Sequence, residues 1–204
     1  MTPAAFQQAA GIDPARLPRL QRYLDLLISW QARINLVGRA TLHDPWRRHF
    51  LDSAQLVPWL PPGRPVVIDL GSGAGFPGLV LAMLTEADVH LVESDQRKCV
   101  FLHEVARATG TALTVHNQRI EALRGLAGDV VTARACAPLA RLLDYAAPLL
   151  RPAGCCLFLK GRTLATELTE AAESWIIRTD QRPSLTDPAG AILKVEALRR
   201  RHGP

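Results

Sequence analysis

The feature that most constrains this chain is a glycine-rich segment, residues 69–78, which reads DLGSGAGFPG. It follows the β-branched run at residues 66–68, which has the composition of a buried central strand that Asp69 ends. Pro77 suits the first turn of a helix, which we predict over residues 78–84. Glycines let the backbone approach a ligand without Cβ clashes, and a helix N-terminus offers unpaired N–H groups. Strand, glycine turn and helix in this order predict a site for a small polar ligand.

The rest of the sequence is that of an ordinary globular protein. Its 204 residues are 48% hydrophobic and 21% charged, which predicts one folded domain with room for a small appendage. Arg, Asp or Pro interrupts every apolar run before it reaches the length of a membrane span. Residues 1–30 lack the apolar stretch of a secretory signal, so we expect the protein to be cytoplasmic.

Charge and cysteine content narrow the possible ligands. The formal net charge is +5, and because lysine fills only three of the 24 basic positions, 21 of them are arginine. Arginine pairs well with phosphates and guanine edges, which favours a nucleic-acid partner, although a GC-rich genome gives the same bias. The four cysteines have neither a Cys-x-x-Cys spacing nor paired histidines nearby, so we predict reduced thiols and no metal site.

Residues 1–62 are predicted to form a helical cap. Apolar residues recur near a 3.6-residue period after Asp13-Pro14, and the pattern resumes from Trp46 to Leu60. A segment of this size is too small to be stable alone, so we expect it to pack on residues 63–204. The apolar stripe of its first long helix contains Leu17, Leu20, Tyr23, Leu24, Leu27, Ile28, Ile34 and Leu36.

Residues 63–204 alternate between strand and helix patterns, which is typical of an α/β protein with a mostly parallel sheet. Strands are predicted at 66–68, 89–93, 112–116, 129–133, 155–159, 175–179 and 191–198. Helices are predicted at 78–84, 95–109, 119–123, 138–150 and 164–173. The basic run Arg199-Arg200-Arg201 opens a C-terminal tail, residues 199–204, that we expect to be frayed.

Two cofactors compete for the glycine-rich segment. Counted from Gly73 it fits GxGxxG, the dinucleotide fingerprint, with Glu93 as the acidic residue. Counted from Asp69 it fits DxGxGxG, the pattern of S-adenosylmethionine-dependent enzymes. We expect a nicotinamide enzyme of this size to resemble the short-chain reductases, which need a Tyr-x-x-x-Lys pair, but neither Tyr23 nor Tyr145 has a lysine four residues later. The sequence therefore favours S-adenosylmethionine, and seven strands with a glycine turn after the first are typical of the Rossmann-like class I methyltransferase fold.

The expected cofactor contacts follow from positions at strand ends. The backbone of the glycine turn would pass beside the methionyl group, and Glu93, at the end of the second strand, would accept hydrogen bonds from the ribose hydroxyls. The segment after the third strand can hold adenine with an apolar side chain and backbone groups. We therefore expect contacts at Asp69, Gly71, Gly73, Gly75, Glu93, Ile120 and Glu121.

Motifs spread through most of the chain resemble one family. They are Asn35-Leu36, RHFLDS at 48–53, DLGSGAGFPG, Arg134-Ala135 and Lys160-Gly161. The pattern resembles the small-subunit ribosomal RNA guanine-N7 methyltransferases of the RsmG, or glucose-inhibited division protein B, family. This resemblance implies methylation of a guanine N7 in the decoding-region loop of 16S rRNA, with the RNA or a small-subunit particle as partner. It also implies cofactor contacts at Gly71, Phe76, Ile120, Glu121 and Arg134.

The implied chemistry requires no general base. Guanine N7 has a free lone pair at neutral pH, so it can attack a methyl group without losing a proton. The reaction then depends on holding N7, the methyl carbon and sulfur in line, and Arg134 and Lys160 are the candidates for positioning. We expect the protein to act as a monomer. The RNA-binding candidates are Arg48, His49, Lys160, Arg199, Arg200 and Arg201.

Two departures from the family pattern leave alternatives open. Val37 follows Asn35-Leu36 where a hydroxyl residue is expected. Cys136 replaces an ordinary apolar residue, and RNA cytosine-C5 methyltransferases place a nucleophilic cysteine just after strand four. Those enzymes carry it after proline, whereas here it follows Ala135, which favours a packing thiol. A ribosome assembly factor that binds S-adenosylmethionine without turnover is a further possibility.

Overall fold

The computed structural model describes residues 1–201, which form a seven-stranded sheet, seven α-helices and several short 3₁₀ and π turns. The strands are β1 (Val66–Leu70), β2 (Asp88–Glu93), β3 (Thr114–Asn117), β4 (Gly128–Arg134), β5 (Leu150–Lys160), β6 (Trp175–Pro183) and β7 (Ala191–Arg200). The α-helices are α1 (Pro3–Ala10), α2 (Leu17–Gln31), α3 (Asp52–Ala54), α4 (Gly78–Leu84), α5 (Gln96–Thr109), α6 (Leu139–Ala146) and α7 (Leu164–Ser174).

The sheet order is β3-β2-β1-β4-β5-β7-β6, and β7 runs antiparallel to both of its neighbours. The predicted α/β fold with a mostly parallel seven-stranded sheet is therefore confirmed. The strand order reverses between β1 and β4, near the middle of the sheet. In open α/β sheets a ligand binds outside the carboxyl ends of the strands at such a reversal.

Two apolar clusters cover the two faces of the sheet. On one face, α1, α2 and the turn at 46–51 pack with α4 and α5, so residues 1–62 and the sheet share one hydrophobic cluster. On the other face, α6, α7 and the start of β6 pack against β1, β4 and β5. In the described part of the chain, no helix is both long and apolar enough to span a membrane.

The first long helix ends earlier than its apolar stripe suggests. Helix α2 stops at Gln31, whereas Leu36 and Val37 are buried in an irregular segment. The Gln31 side chain explains this ending, because its Oε1 accepts the N–H groups of both residues and its Nε2 donates to the Val37 carbonyl. A side chain thus satisfies backbone groups that would otherwise need helical partners.

Other predicted helix and strand boundaries also differ from the observed ones. Strand β1 runs through Asp69 to Leu70, so Asp69 does not end it. The helix predicted at 119–123 is a single 3₁₀ turn, Ile120–Ala122. The helix predicted from Trp46 to Leu60 is a π-helical turn, Trp46–Leu51, followed by α3 and a 3₁₀ turn. Helix α4 and the Asp95 cap of α5 match the prediction.

The predicted frayed tail is wrong for residues 199–201. Strand β7 continues to Arg200, whose guanidinium pairs with Asp144 at 2.8 Å and lies 4.4 Å from the Trp175 ring centroid. Arg201 donates to the Ala172 carbonyl at 2.9 Å. Arg200 and Arg201 are therefore held by an ion pair, an aromatic ring and a backbone hydrogen bond. The rest of the predicted tail, residues 202–204, lies outside the described residues.

Candidate active site

A cavity of about 790 Å³ opens at the carboxyl ends of β1 and β4, within the size range of small-molecule sites. Its walls come from the glycine turn, from the segment at 135–138 after β4, and from the end of β5. The π-helical turn of the cap and the loop between β6 and β7, residues 184–190, complete the walls. Motifs that are far apart in the sequence therefore meet around one space.

Two glycines of the turn face different neighbours. Gly71 and Gly73 have left-handed φ values of +63° and +55°. A Cβ on Gly71 would lie 2.5 Å from the Cys136 Sγ, so this glycine is required by protein packing. A Cβ on Gly73 would meet nothing closer than the Gly71 carbonyl oxygen at 3.8 Å. Because Gly73 also lines the cavity, it leaves backbone exposed to a ligand, as a cofactor cradle requires.

Asp69 lies behind the turn rather than on the cavity wall. Its carboxylate is fully buried and accepts the Thr132 hydroxyl at 2.9 Å and the Gly78 N–H at 3.3 Å. Burial raises the pKa of this carboxyl to about 6 despite those hydrogen bonds. Asp69 therefore ties β1 to β4 and to the start of α4. Gly75 does not line the cavity either, and a Cβ on it would strike the Leu79 side chain.

Glu93 faces the cavity with its carboxylate held in place. The Oε2 atom accepts the Gly73 N–H at 2.9 Å, and Oε1 accepts the Asp95 N–H at 2.7 Å. An ionised carboxylate has about four acceptor positions, so both oxygens can still receive ribose hydroxyls. The structure thus places the predicted ribose-binding group next to the open glycine, and both features fit S-adenosylmethionine.

Ile120 and Glu121 are not on the walls of this cavity. They line a second cavity of about 450 Å³, where Glu121 accepts the Tyr145 hydroxyl at 2.7 Å. That hydrogen bond lowers the pKa of Glu121, and Arg141 adds to the effect. Gln118, two residues before Ile120, donates its N–H to the carbonyl of the cavity-lining Glu93 at 3.1 Å.

Arg134 joins the sheet to the cap. Its guanidinium lies 4.9 Å from the Phe76 ring centroid and donates to the Arg48 carbonyl at 3.2 Å. It also pairs with Asp52 at 3.4 Å, and about a fifth of the side chain remains exposed. A cation at the end of β4, held at the cavity wall by protein groups, can receive an anionic group of a ligand.

Tyr23 is a functional neighbour that sequence reasoning missed. It is fully buried, stacks on Phe76 with ring centroids 5.0 Å apart, and donates its hydroxyl to the Ala74 carbonyl. Burial raises the pKa of this phenol well above its usual value, so it stays protonated. The cap thus fixes the glycine turn, but in the sequence Tyr23 is only one member of an apolar stripe.

His49 is buried as a neutral ring. The Thr41 hydroxyl donates to the Gly38 carbonyl at 2.6 Å, so it must accept the Nε2–H of His49 at 2.7 Å. The Nδ1 atom then carries a lone pair, and it has no hydrogen-bond partner among residues 1–201. Burial lowers the pKa of His49 to about 3, helped by Arg134 and Arg48. His49 therefore offers no charge to an RNA phosphate near neutral pH.

Of the other RNA-binding candidates, Arg48 and Lys160 line the cavity, but each is paired with a carboxylate. Lys160 is only 8% exposed and pairs with Glu167, whereas Arg48 pairs with Asp187 at 3.2 Å. Residues 199–201 lie at the far end of β7 from Ala191, the residue that pairs with Lys160 beside the cavity. Among residues 1–201, no cluster of His, Cys, Asp or Glu side chains is placed to hold a metal ion.

Cys136 lines the cavity as a half-buried thiol in contact with Gly71. Burial raises its pKa, and the carboxylates of Asp69 and Glu93 raise it further. Nucleophilic cysteines instead need a lowered pKa and an electropositive setting. The geometry therefore favours the packing interpretation of this residue.

We expect Cys136→Ser to retain most methyl transfer to RNA, because the thiol is not ionised and the smaller oxygen still fits beside Gly71. Single-turnover transfer of labelled methyl groups measures this directly. If turnover were lost while cofactor affinity stayed intact, a covalent cysteine adduct would be required.

Comparison with known proteins identifies close relatives. A sequence profile described as GidB, rRNA small subunit methyltransferase G, matches residues 16–189. The "Ribosomal RNA small subunit methyltransferase G" of Paramagnetospirillum magneticum is 55% identical over 200 residues, 98% of each chain. The protein of the same name from Rhodospirillum rubrum is 52% identical over 98% of this chain and 100% of its own.

Solved structures share the fold at low identity. A ribosomal protein L11 methylase from Lactobacillus delbrueckii matches with a TM-score of 0.60 and 17% identity over 74% of this chain and 77% of its own. A methyltransferase from Pyrococcus furiosus also has a TM-score of 0.60, with 14% identity over 87% and 97% of the two chains. These likenesses identify the architecture as that of class I methyltransferases.

Proposed function

The chain belongs to the GidB family of rRNA small subunit methyltransferases, and we infer from this membership that it methylates guanine N7 in 16S rRNA. The methyl donor is S-adenosylmethionine. The observation in the structure that best supports this function is Gly73, whose open Cα faces the cavity while its N–H holds Glu93. A ligand with ribose hydroxyls explains this combination better than packing within the protein does.

We propose that the cofactor is held along the carboxyl ends of β1, β2 and β4. When bound, S-adenosylmethionine supplies a methyl group on a positively charged sulfur. The backbone of the glycine turn would lie along the methionyl group, with Phe76 behind it and Arg134 beside it. Glu93 would accept the ribose hydroxyls, and adenine would extend from there toward Ile120 and Glu121, which line the second cavity rather than the first.

The residues of this chain act on the reaction by positioning. Because guanine N7 already carries a free lone pair, no side chain has to remove a proton. The neutral His49 and the raised pKa of Cys136 leave the cavity without a strong base at those positions, which suits this chemistry. Alignment of the reacting atoms alone can account for several powers of ten in rate. We propose that the enzyme works as a monomer.

The rim of the cavity offers other cations to the RNA. Arg39 and Arg162 are exposed and make no ion pair with any residue in 1–201, and each adjoins residues that line the cavity. Lys98, on the first turn of α5, lines the cavity itself. By contrast, Arg48 is already neutralised by Asp187. We therefore propose that phosphates contact Arg39, Lys98 and Arg162 and that Arg48 fastens the cap to the loop at 184–190.

We expect Arg162→Ala to weaken RNA binding and to reduce the slope of log affinity against log salt by about 0.7–0.9, the share of one phosphate contact. Arg48→Ala should leave that slope unchanged, because Arg48 is paired with Asp187 rather than with a phosphate. Filter binding at several salt concentrations measures the slopes. A flattened slope for Arg48→Ala would instead place Arg48 on the RNA.

Nucleoside mass analysis of ribosomal RNA tests the activity itself. RNA from cells that lack this protein should lose 7-methylguanosine from the small subunit, and the purified protein with S-adenosylmethionine should restore it. Restoration separates an enzyme from a binding factor without turnover. Unchanged 7-methylguanosine in those cells would contradict the proposal.

A further inference from the structure

We propose that Glu167 is a positioning residue that, through a buried ion pair with Lys160, holds the cavity-lining segment 135–138 in the position that methyl transfer requires. The proposal rests on the proposed function and assigns that role to a residue outside the sequence motifs. Glu167 lies on α7, seven residues beyond Lys160, which ends β5. Their side chains are 14% and 8% exposed.

The first contact of Glu167 fixes the far end of the segment. Its Oε2 atom accepts the N–H of Leu139, the first residue of α6, at 2.8 Å. Its Oε1 atom accepts the Thr163 hydroxyl at 2.7 Å. Glu167 therefore caps α6 from another helix, where the helix dipole also favours a carboxylate.

Lys160 fixes the middle of the same segment. Besides pairing with Glu167, its Nζ donates to the Ala137 carbonyl at 3.2 Å. Pro138, between Ala137 and Leu139, has no N–H of its own to anchor the chain. Hydrogen bonds donated to the Glu167 carboxylate by Lys160 and Thr163 outweigh burial and keep the pKa of Glu167 below its usual value, so this carboxylate is ionised near neutral pH.

The near end of the segment is conformationally strained. Ala135 has φ +48°, a left-handed value that non-glycine residues adopt at a cost. Such a conformation persists only where surrounding contacts determine it. The next residue, Cys136, lies beside Gly71, so the segment both lines the cavity and touches the glycine turn.

Stability alone does not explain this ion pair. Replacing a buried pair by apolar residues is often neutral or stabilising, whereas removing one partner is strongly destabilising. Unlike an apolar pair, the ion pair provides hydrogen-bond partners that fix the positions of the Ala137 carbonyl and the Leu139 N–H. These hydrogen bonds set the position of residues 135–138 on the cavity wall.

The experiment separates folding from positioning with a double variant. Lys160→Met alone should lower the Tm of the ligand-free protein, because Glu167 is left buried and unpaired. Lys160→Met/Glu167→Leu should recover most of that Tm. Its kcat for 16S rRNA should nevertheless stay about 10- to 100-fold below the wild-type value, as expected when reacting groups shift by about 1 Å. The dissociation constant for S-adenosylmethionine should not change.

Hydrogen exchange gives a readout that does not depend on activity. The Leu139 amide of the ligand-free double variant should exchange faster than in the wild-type protein, because its acceptor is gone. Glu104→Gln, which breaks the exposed pair with Arg107 on α5, is the control and should change neither exchange there nor kcat.

Three results would overturn the proposal: wild-type kcat in the double variant, unchanged exchange at Leu139, or a cofactor affinity that falls as much as kcat. If the wild-type protein itself transferred no methyl group to 16S rRNA, the proposed function would fail. Exchange at Leu139 would still decide whether the pair orders the segment.

Discussion

Gly73→Asn should weaken S-adenosylmethionine binding by at least about 100-fold, equivalent to about 2.7 kcal/mol, while the protein stays folded. The backbone of Gly73 has φ +55°, a conformation that asparagine tolerates better than most residues. Its Cβ position is open to the cavity, so the added side chain occupies ligand space without striking the protein. Isothermal calorimetry measures the affinity, and thermal melting verifies the fold.

Gly110→Asn is the matched control for this variant. Gly110 ends α5 with φ +62°, and a Cβ there would meet nothing within 4 Å. The two substitutions therefore impose similar backbone strain, but only one lies at the cavity. Equal cofactor affinities in the two variants would show that the turn does not face S-adenosylmethionine. Gly71 would be a poorer test, because its Cβ would strike Cys136 even with no ligand bound.

The sequence predicted all seven strands and the carboxyl ends of β1 to β5 to within two residues, because these depend on local patterns. By contrast, β5 begins five residues earlier than predicted and β6 ends four residues later. The alternation of apolar runs with helical patterns predicted a mostly parallel sheet. Parallel strands bring their carboxyl ends to the same edge of a sheet. Because Glu93 ends the predicted second strand, the strand pattern was enough to predict it near the glycine turn, whereas Arg134 lies one residue beyond the predicted fourth strand and was expected there from the family resemblance. The register confirms that placement, since Leu70 of β1 pairs with Val92 and with Ala133.

The sequence did not predict which carboxylates pair with the arginine and lysine side chains. Lys160 and Arg48 looked like free cations, but Glu167 and Asp187 neutralise them across 7 and 139 residues. Asp69 looked like a cofactor ligand, yet Thr132 and Gly78 enclose it. Local sequence patterns do not encode which charges meet, because tertiary packing decides those contacts. The π-helical turn escaped prediction for a related reason, since its apolar pattern resembles that of an ordinary helix.

Arg134→Ala should reduce kcat/KM for methyl transfer by about 10- to 100-fold or more, the loss expected for one charge-assisted hydrogen bond of about 1.5–3 kcal/mol. Its guanidinium is the cation that lies against Phe76 at the cavity wall, where an anionic group of the cofactor can reach it. Arg134→Lys should recover only part of the activity, because lysine keeps the charge but not the planar fork. Calorimetry should assign most of the loss to cofactor affinity.

Arg151→Ala is the control that tests whether loss of another ion-paired arginine on β4 or β5 would have the same effect on cofactor affinity. Arg151 donates to both oxygens of Asp129, near the start of β4, whereas Arg134 ends the same strand and pairs with Asp52. Both variants remove an arginine from an ion pair, but only Arg134 lines the cavity. Arg151→Ala should therefore leave cofactor affinity unchanged. If Arg134→Ala lowered the Tm but bound S-adenosylmethionine normally, Arg134 would be a structural tie between cap and sheet, because its contacts with Asp52 and the Arg48 carbonyl would then be its main role.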